Sequence, residues 1–160
     1  MDLVDIARII DLTAEAAASP RQRANLNLHP TLADPYQRFF NALHQGTYIR
    51  PHRHESGRWE TFVILGGRAV MLTFDDNGTV LQRAELSPAG PQVAVEVPGG
   101  EWHTVAAMGT GTVLLELKPG PYRPVSDKDF ASWAPHDRDP MSALIELWYH
   151  TARPGDRPPG

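Results

Sequence analysis

The 160-residue sequence contains no cysteine. That absence excludes a disulfide framework and any thiolate metal site, and it leaves imidazole and carboxylate as the strong protein ligands for a metal. Positive charge is also scarce: 15 Lys and Arg stand against 19 Asp and Glu, a formal charge of −4, which argues against a basic nucleic-acid-binding face. No stretch approaches the roughly 18 uncharged apolar residues of a membrane span. Residues 1–18 carry Asp2, Asp5, Asp11 and Glu15 among their apolar side chains, so they lack the basic start and unbroken apolar run of a secretory signal. The expectation is a cytoplasmic protein whose partner is a small-molecule ligand rather than nucleic acid or a membrane. A chain of this length buries about two-thirds of its unfolded surface, enough for one core, and a single domain over residues 1–150 is expected.

What is present divides by its period. Ile6, Ile9 and Ile10 recur at helical spacing, and Ser19 and Pro20 stop the pattern, which predicts a helix over 5–18. From Arg21 to His29 the period is two, with Arg23, Asn25, Asn27 and His29 on one face and Ala24, Leu26 and Leu28 on the other. Gln37 to Leu43 reads as a strand or a short helix. From Glu60 onward, short apolar runs are punctuated by glycine and proline: 61–65, 69–74, 80–86, 92–97, 104–107 and 113–117. This predicts an all-β protein, an antiparallel sandwich or barrel over about 21–120, with a tight turn at Asp76, Asn77 and Gly78. Gly120 to Pro124 closes the strand region. Asp139 and Pro140 then cap a second helix, about 140–150, whose stripe of Met141, Leu144, Ile145 and Trp148 is expected to face the core. Residues 151–160, rich in proline, glycine and arginine, predict a disordered tail.

Against that background one constellation carries chemistry. His52 and His54 lie six and eight residues after Gly46, Glu60 follows a five-residue turn, and His103 stands 43 residues beyond Glu60 behind Pro98 and Gly100. On a strand, two histidines separated by one residue project from the same face. Glu60 opens the next apolar strand, where hairpin pairing brings its carboxylate back beside them. Three imidazoles and a carboxylate suit one divalent transition metal (Fe, Mn, Ni, Co or Zn), and an octahedral ion so held keeps about two positions for water or substrate. Four polar side chains buried without an ion would be costly.

This order and spacing resemble the two motifs of the cupin superfamily. Gly46, His52, His54, Glu60 and Gly67 match the first apart from a turn one residue longer than usual. Pro98, Gly100 and His103 match the second, although Gly90 sits two residues too far upstream and Ala107 replaces an asparagine that is not a metal ligand in the family pattern. The flanks, including Arg21, Arg23, Asn25, Leu26, Asn27, His29, Gln37, Arg38, Trp59, Trp102 and Lys118 to Tyr122, are similar to the WbuC-type cupin-fold metalloproteins, some of which are encoded among bacterial O-antigen and surface-polysaccharide genes. The resemblance covers about residues 5–135. It implies a double-stranded β-helix (jelly-roll) barrel holding one metal, between the N- and C-terminal helices, and by family habit a homodimer; it implies no settled reaction.

Arg23, Asn25, Asn27 and His29 are the candidate substrate-binding residues. Their face lines a pocket or is the solvent face of an edge strand, and asparagine with arginine suits hydroxyls and an anion. Surface charge is the expected account of Arg38 and Lys118, and packing that of Tyr48 and Trp102. His44, His136 and His150 have no ligand spacing. The functional expectation is a metal-dependent enzyme on a small polar, sugar-derived substrate of bacterial surface-polysaccharide metabolism, its reaction open between isomerase or epimerase and dioxygenase; no catalytic residue is assigned. A metal-dependent binding or sensor module and an iron-dependent dioxygenase are the alternatives.

Overall fold

A computed structural model of the chain describes residues 1–123 and 128–160. Pro124, which ends the turn closing the strand region, lies outside them. The first element is a helix, α1 (Ile6–Ala18), started by Asp5, whose carboxylate accepts the Arg8 amide at 2.9 Å. Its buried side is Leu12 and Ala16, with Ile9 partly covered, while Ile6 and Ile10 face solvent.

Ten strands follow among the described residues: β1 (Arg23–Asn27), β2 (Tyr36–Leu43), β3 (His52–Arg53), β4 (Glu60–Gly66), β5 (Ala69–Phe74), β6 (Val80–Leu86), β7 (Ala94–Val97), β8 (Trp102–Ala107), β9 (Thr112–Pro119) and β10 (Asp129–Phe130). They form two five-stranded antiparallel sheets, ordered β1-β2-β9-β4-β7 and β10-β3-β8-β5-β6. Gln37 to Leu43 is therefore strand, because β2 is buried between β1 and β9 in register. The hairpin joining β5 and β6 turns where expected. Gly78 there holds φ +85°, and Asp75 Oδ1 accepts the amides of Asn77 and Thr79 at 2.8 Å each.

The two sheets face each other and their inward residues alternate along every strand. One end of the interior is apolar, with Leu43, Ile64, Met71, Leu86, Val105 and Leu114 in one cluster. The outer face of the first sheet is covered by α1 against Ala42 and Val113. The outer face of the second is covered by the C-terminal segment, which contributes Ala131, Ala134, Ile145, Tyr149 and Ala152 to a third cluster.

That segment contains α2 (Pro140–Tyr149), with Asp139 accepting the Met141 amide at 2.9 Å and Pro140 in the first turn. Its stripe is split: Ile145 is buried and Trp148 packs against the same cluster, but Met141 and Leu144 are exposed. Residues 152–156, in the stretch expected to be a disordered tail, are bonded to the barrel. Ala152 is fully buried, Gly155 N donates to Val80 O and Val80 N to Asp156 O at 2.9 Å each, and Arg83 donates to the carbonyls of Tyr149, His150 and Ala152. The open edge of β6 supplies backbone partners that composition alone does not reveal. No helix among the described residues is long and apolar enough to cross a membrane.

Candidate metal centre

The opposite, polar end of the interior is where the four residues of the sequence motif meet. His52 on β3 pairs in register with His103 on β8, and Glu60 opens β4 in the facing sheet. His54 follows β3 in the turn, held there because Gly100 N donates to His54 O at 2.9 Å. The potential ligand atoms of His52, His54, Glu60 and His103 all lie within 4.8 Å of one another, and all four residues are buried. Glu60 Oε2 lies 2.8 Å from His103 Nε2 and 4.0 Å from His52 Nε2, and Glu60 Oε1 lies 3.0 Å from His54 Nε2.

The opposite ring nitrogens decide what these atoms can do. His52 Nδ1 donates to Arg50 O at 3.0 Å and His103 Nδ1 to Glu101 O at 2.9 Å, since a carbonyl can only accept. In the neutral ring that leaves the Nε2 lone pair of each directed into the cluster, the state a metal ligand needs. His52 Nε2 is buried and makes no hydrogen bond among the described residues. Burial, with the charges of Lys128 and His103, holds the His52 imidazole well below its usual range, so the neutral ring is favoured. Burial works to raise the Glu60 carboxyl, but the close contacts with His103 and His54 and the charges of Lys118 and Lys128 outweigh it and hold the group well below the carboxylate range. Three imidazoles around an ionised carboxylate form a donor set fit for a divalent first-row ion.

Three further residues extend this centre and are not part of the sequence motif. Lys118 Nζ lies 3.0 Å from Glu60 Oε1 and 3.3 Å from Glu116 Oε1, and Asn41 Nδ2 donates to Glu116 Oε2 at 3.3 Å. All three are buried, which corrects the surface-charge expectation for Lys118. On β9, Glu116 and Lys118 share the inward face with Thr112 and Leu114, and the outward face, Val113, Leu115 and Leu117, is apolar as well. A strand apolar on its outer face was the available signal, because such a strand has no solvent side on which to leave its charges. Burial pushes the Glu116 carboxyl up to about 7, against the opposing charge of Lys118.

Beside this network lies a cavity of about 340 Å³. Arg23, Asn25, Asn27 and His29 all line it, together with Glu116 and Lys118. The polar face of β1 thus looks across the interior, with Asn25 opposite Asn41 and Asn27 opposite Phe39 in the β1–β2 register. Another cavity is lined by His54 and Gly100, and Lys128 lines both. The remaining candidates fall elsewhere. Arg38 is exposed. Trp102 donates to Asp76 at 2.8 Å beneath the Arg53 guanidinium, and Tyr48 stacks on Tyr149 while donating to Pro135 O at 2.9 Å, so both pack. His44, His136 and His150 stand apart from the cluster, bonded to Gln45, Arg50 and Glu146.

Residues 4–86 match the model of a family described as a domain of unknown function (DUF6016). None of the curated proteins matches the chain. Solved structures do. A cupin 2 domain-containing protein from Halorhodospira halophila superposes with a TM-score of 0.51 at 17% identity, over 84% of this chain and 85% of its own. TT1209 from Thermus thermophilus gives 0.52 at 20% identity, over 74% of this chain and 97% of its own. The capsular polysaccharide assembling protein CapF from Staphylococcus aureus gives 0.53 at 22% identity over 66% of this chain, which spans only 28% of CapF. These likenesses establish the architecture: the paired sheets are a cupin jelly-roll barrel with flanking helices.

Proposed function

The chain belongs to the family described as a domain of unknown function (DUF6016), and on that premise we propose that it is a metal-dependent cupin enzyme acting on a small polar, sugar-derived substrate. The observation that carries this reading is the convergence of three imidazoles and one carboxylate beside a polar cavity inside the barrel. His52, His54, Glu60 and His103 would hold the ion. A divalent metal there supplies Lewis acidity toward substrate oxygens. The chain's own contribution is positional. Arg50 O and Glu101 O fix the His52 and His103 tautomers, and Lys118 holds the Glu60 carboxylate from the cavity side.

The WbuC-type flanking motifs, and the role that CapF carries in its name, support a substrate from surface-polysaccharide metabolism. Near-complete burial of all four ligand side chains favours a second reading, a metal that ties the two sheets together and takes no substrate. One experiment separates them. Metal-loaded protein and the His52→Ala variant are screened against sugars, nucleotide-sugars, diols and keto acids. Turnover lost with the metal supports the enzyme; ligand binding without turnover identifies a binding module; loss of thermal stability alone supports the structural metal.

A further inference from the structure

Two residues on the wall of the 340 Å³ cavity carry a buried polar atom without a hydrogen-bond partner among the described residues. His29 and Asn41 both line it, and the buried atoms His29 Nε2 and Asn41 Oδ1 have no hydrogen-bond partner among the described residues. The residues themselves are only 6% and 8% exposed. Buried polar atoms are ordinarily bonded, so two orphans on one cavity wall point to something that occupies it.

The strand registers order the cavity's chemistry along its length. Arg23 stands level with Leu43, Asn25 with Asn41 and Asn27 with Phe39; Phe39 is in turn level with Glu116, and Gln37 with Lys118. Over these rows, about 20 Å at roughly 3.3 Å per strand residue, the wall changes from guanidinium through neutral amides to the Glu116 and Lys118 pair beside Glu60. At the far end Arg21 and Arg23 stand together. Arg23 is tied to Tyr48 O at 2.8 Å, and Asp137 approaches the two guanidiniums no closer than 3.6 Å and 4.0 Å. Burial, then the like charge of Arg21, lowers Arg23 to about 10, so an anion there would relieve both.

A ligand matching this wall must be anionic at one end and must donate and accept hydrogen bonds along the rest. A cationic ligand would face Arg21, Arg23 and Lys118. A simple carboxylic acid would leave Asn41 Oδ1 unsatisfied and set an alkyl chain against Glu116. Resting on the metal-site reading above, we propose that the cavity binds a polyhydroxylated organic acid, its acid group on Arg21 and Arg23 and its hydroxyls on Asn41, His29 and Glu116.

The test is calorimetric titration of the metal-loaded full chain with gluconate, sorbitol and hexanoate, with metal content measured in parallel. Gluconate is expected to bind at least about tenfold more tightly than either of the others, the factor that one lost charged hydrogen bond represents. Arg23→Met is expected to weaken gluconate about tenfold without affecting sorbitol, and Asn41→Leu to weaken both polyols. Circular dichroism checks that each variant folds, and Asn25→Ala supplies a milder change on the same wall. Equal binding of the three, tightest binding of hexanoate or sorbitol, or no binding by protein carrying its metal overturns the assignment and leaves the metal centre standing. Absence of metal overturns the metal reading itself.

Discussion

Glu60 Oε2 and His103 Nε2 lie 2.8 Å apart across a separation of 43 residues. With His103 Nδ1 committed to Glu101 O, a neutral His103 sets a lone pair against the lone pairs of a carboxylate. That contact holds only with a cation in the cluster or a proton on the imidazole. Because β4 and β8 belong to different sheets, it also ties the sheets together at the polar end of the barrel.

Lys118 sits between two buried carboxylates, 3.0 Å from Glu60 and 3.3 Å from Glu116. We expect Lys118→Met to destabilise the protein by about 3–5 kcal/mol, the cost of leaving buried charge uncompensated. Adding Glu116→Gln is expected to restore much of that loss. Urea unfolding of the wild type, both single variants and the double variant measures the interaction, and simple additivity would show that Lys118 and Glu116 do not act together.

Glu116 gives a pH dependence with a definite sign. Its carboxyl is raised by burial from 4.5 to about 7, so between those values the folded protein holds a proton that the unfolded chain has released. Stability from this group therefore falls as pH rises from about 4.5 to about 7 and is level above. His52, held neutral by burial, works in the opposite direction below 6.5, so the comparison must be with Glu116→Gln. In metal-free protein, the stability advantage of the glutamine variant is expected to grow between pH 4.5 and 7 and then stay constant. An advantage that does not change with pH contradicts it.

Gly99 supports the metal centre from outside it. A Cβ there would meet Arg58 N at 2.8 Å, Gly57 N at 2.9 Å and, closer still, Glu55 O, all in the turn between His54 and Glu60. Backbone cannot give way as a side-chain end can. Gly99→Ala is expected to cost about 1–3 kcal/mol and to weaken metal binding by moving His54, whereas Gly109→Ala, with open space around it, stays within about 0.5 kcal/mol. Thermal melts and metal titration of both variants check this.

The strands and the four-residue cluster were readable because period and spacing encode them: β5 and β6 fall on the expected runs, and alternation placed the β1 side chains on one face. What spacing could not supply was which faces the fold would cover. Lys118 read as surface charge because α1 and β4, which bury β9, are set by tertiary packing. The tail from 151 read as disordered for the same reason, since the open edge of β6 that receives it is a property of sheet order.

The most direct measurement of the central claim is elemental analysis of the purified protein after dialysis, beside the His52→Ala and His103→Ala variants. The account predicts about one divalent transition metal per chain in the wild type and at least a tenfold lower occupancy in each variant that still folds. Wild-type protein that stays metal-free after incubation with iron, manganese, nickel, cobalt and zinc, or variants that hold metal as the wild type does, would contradict it.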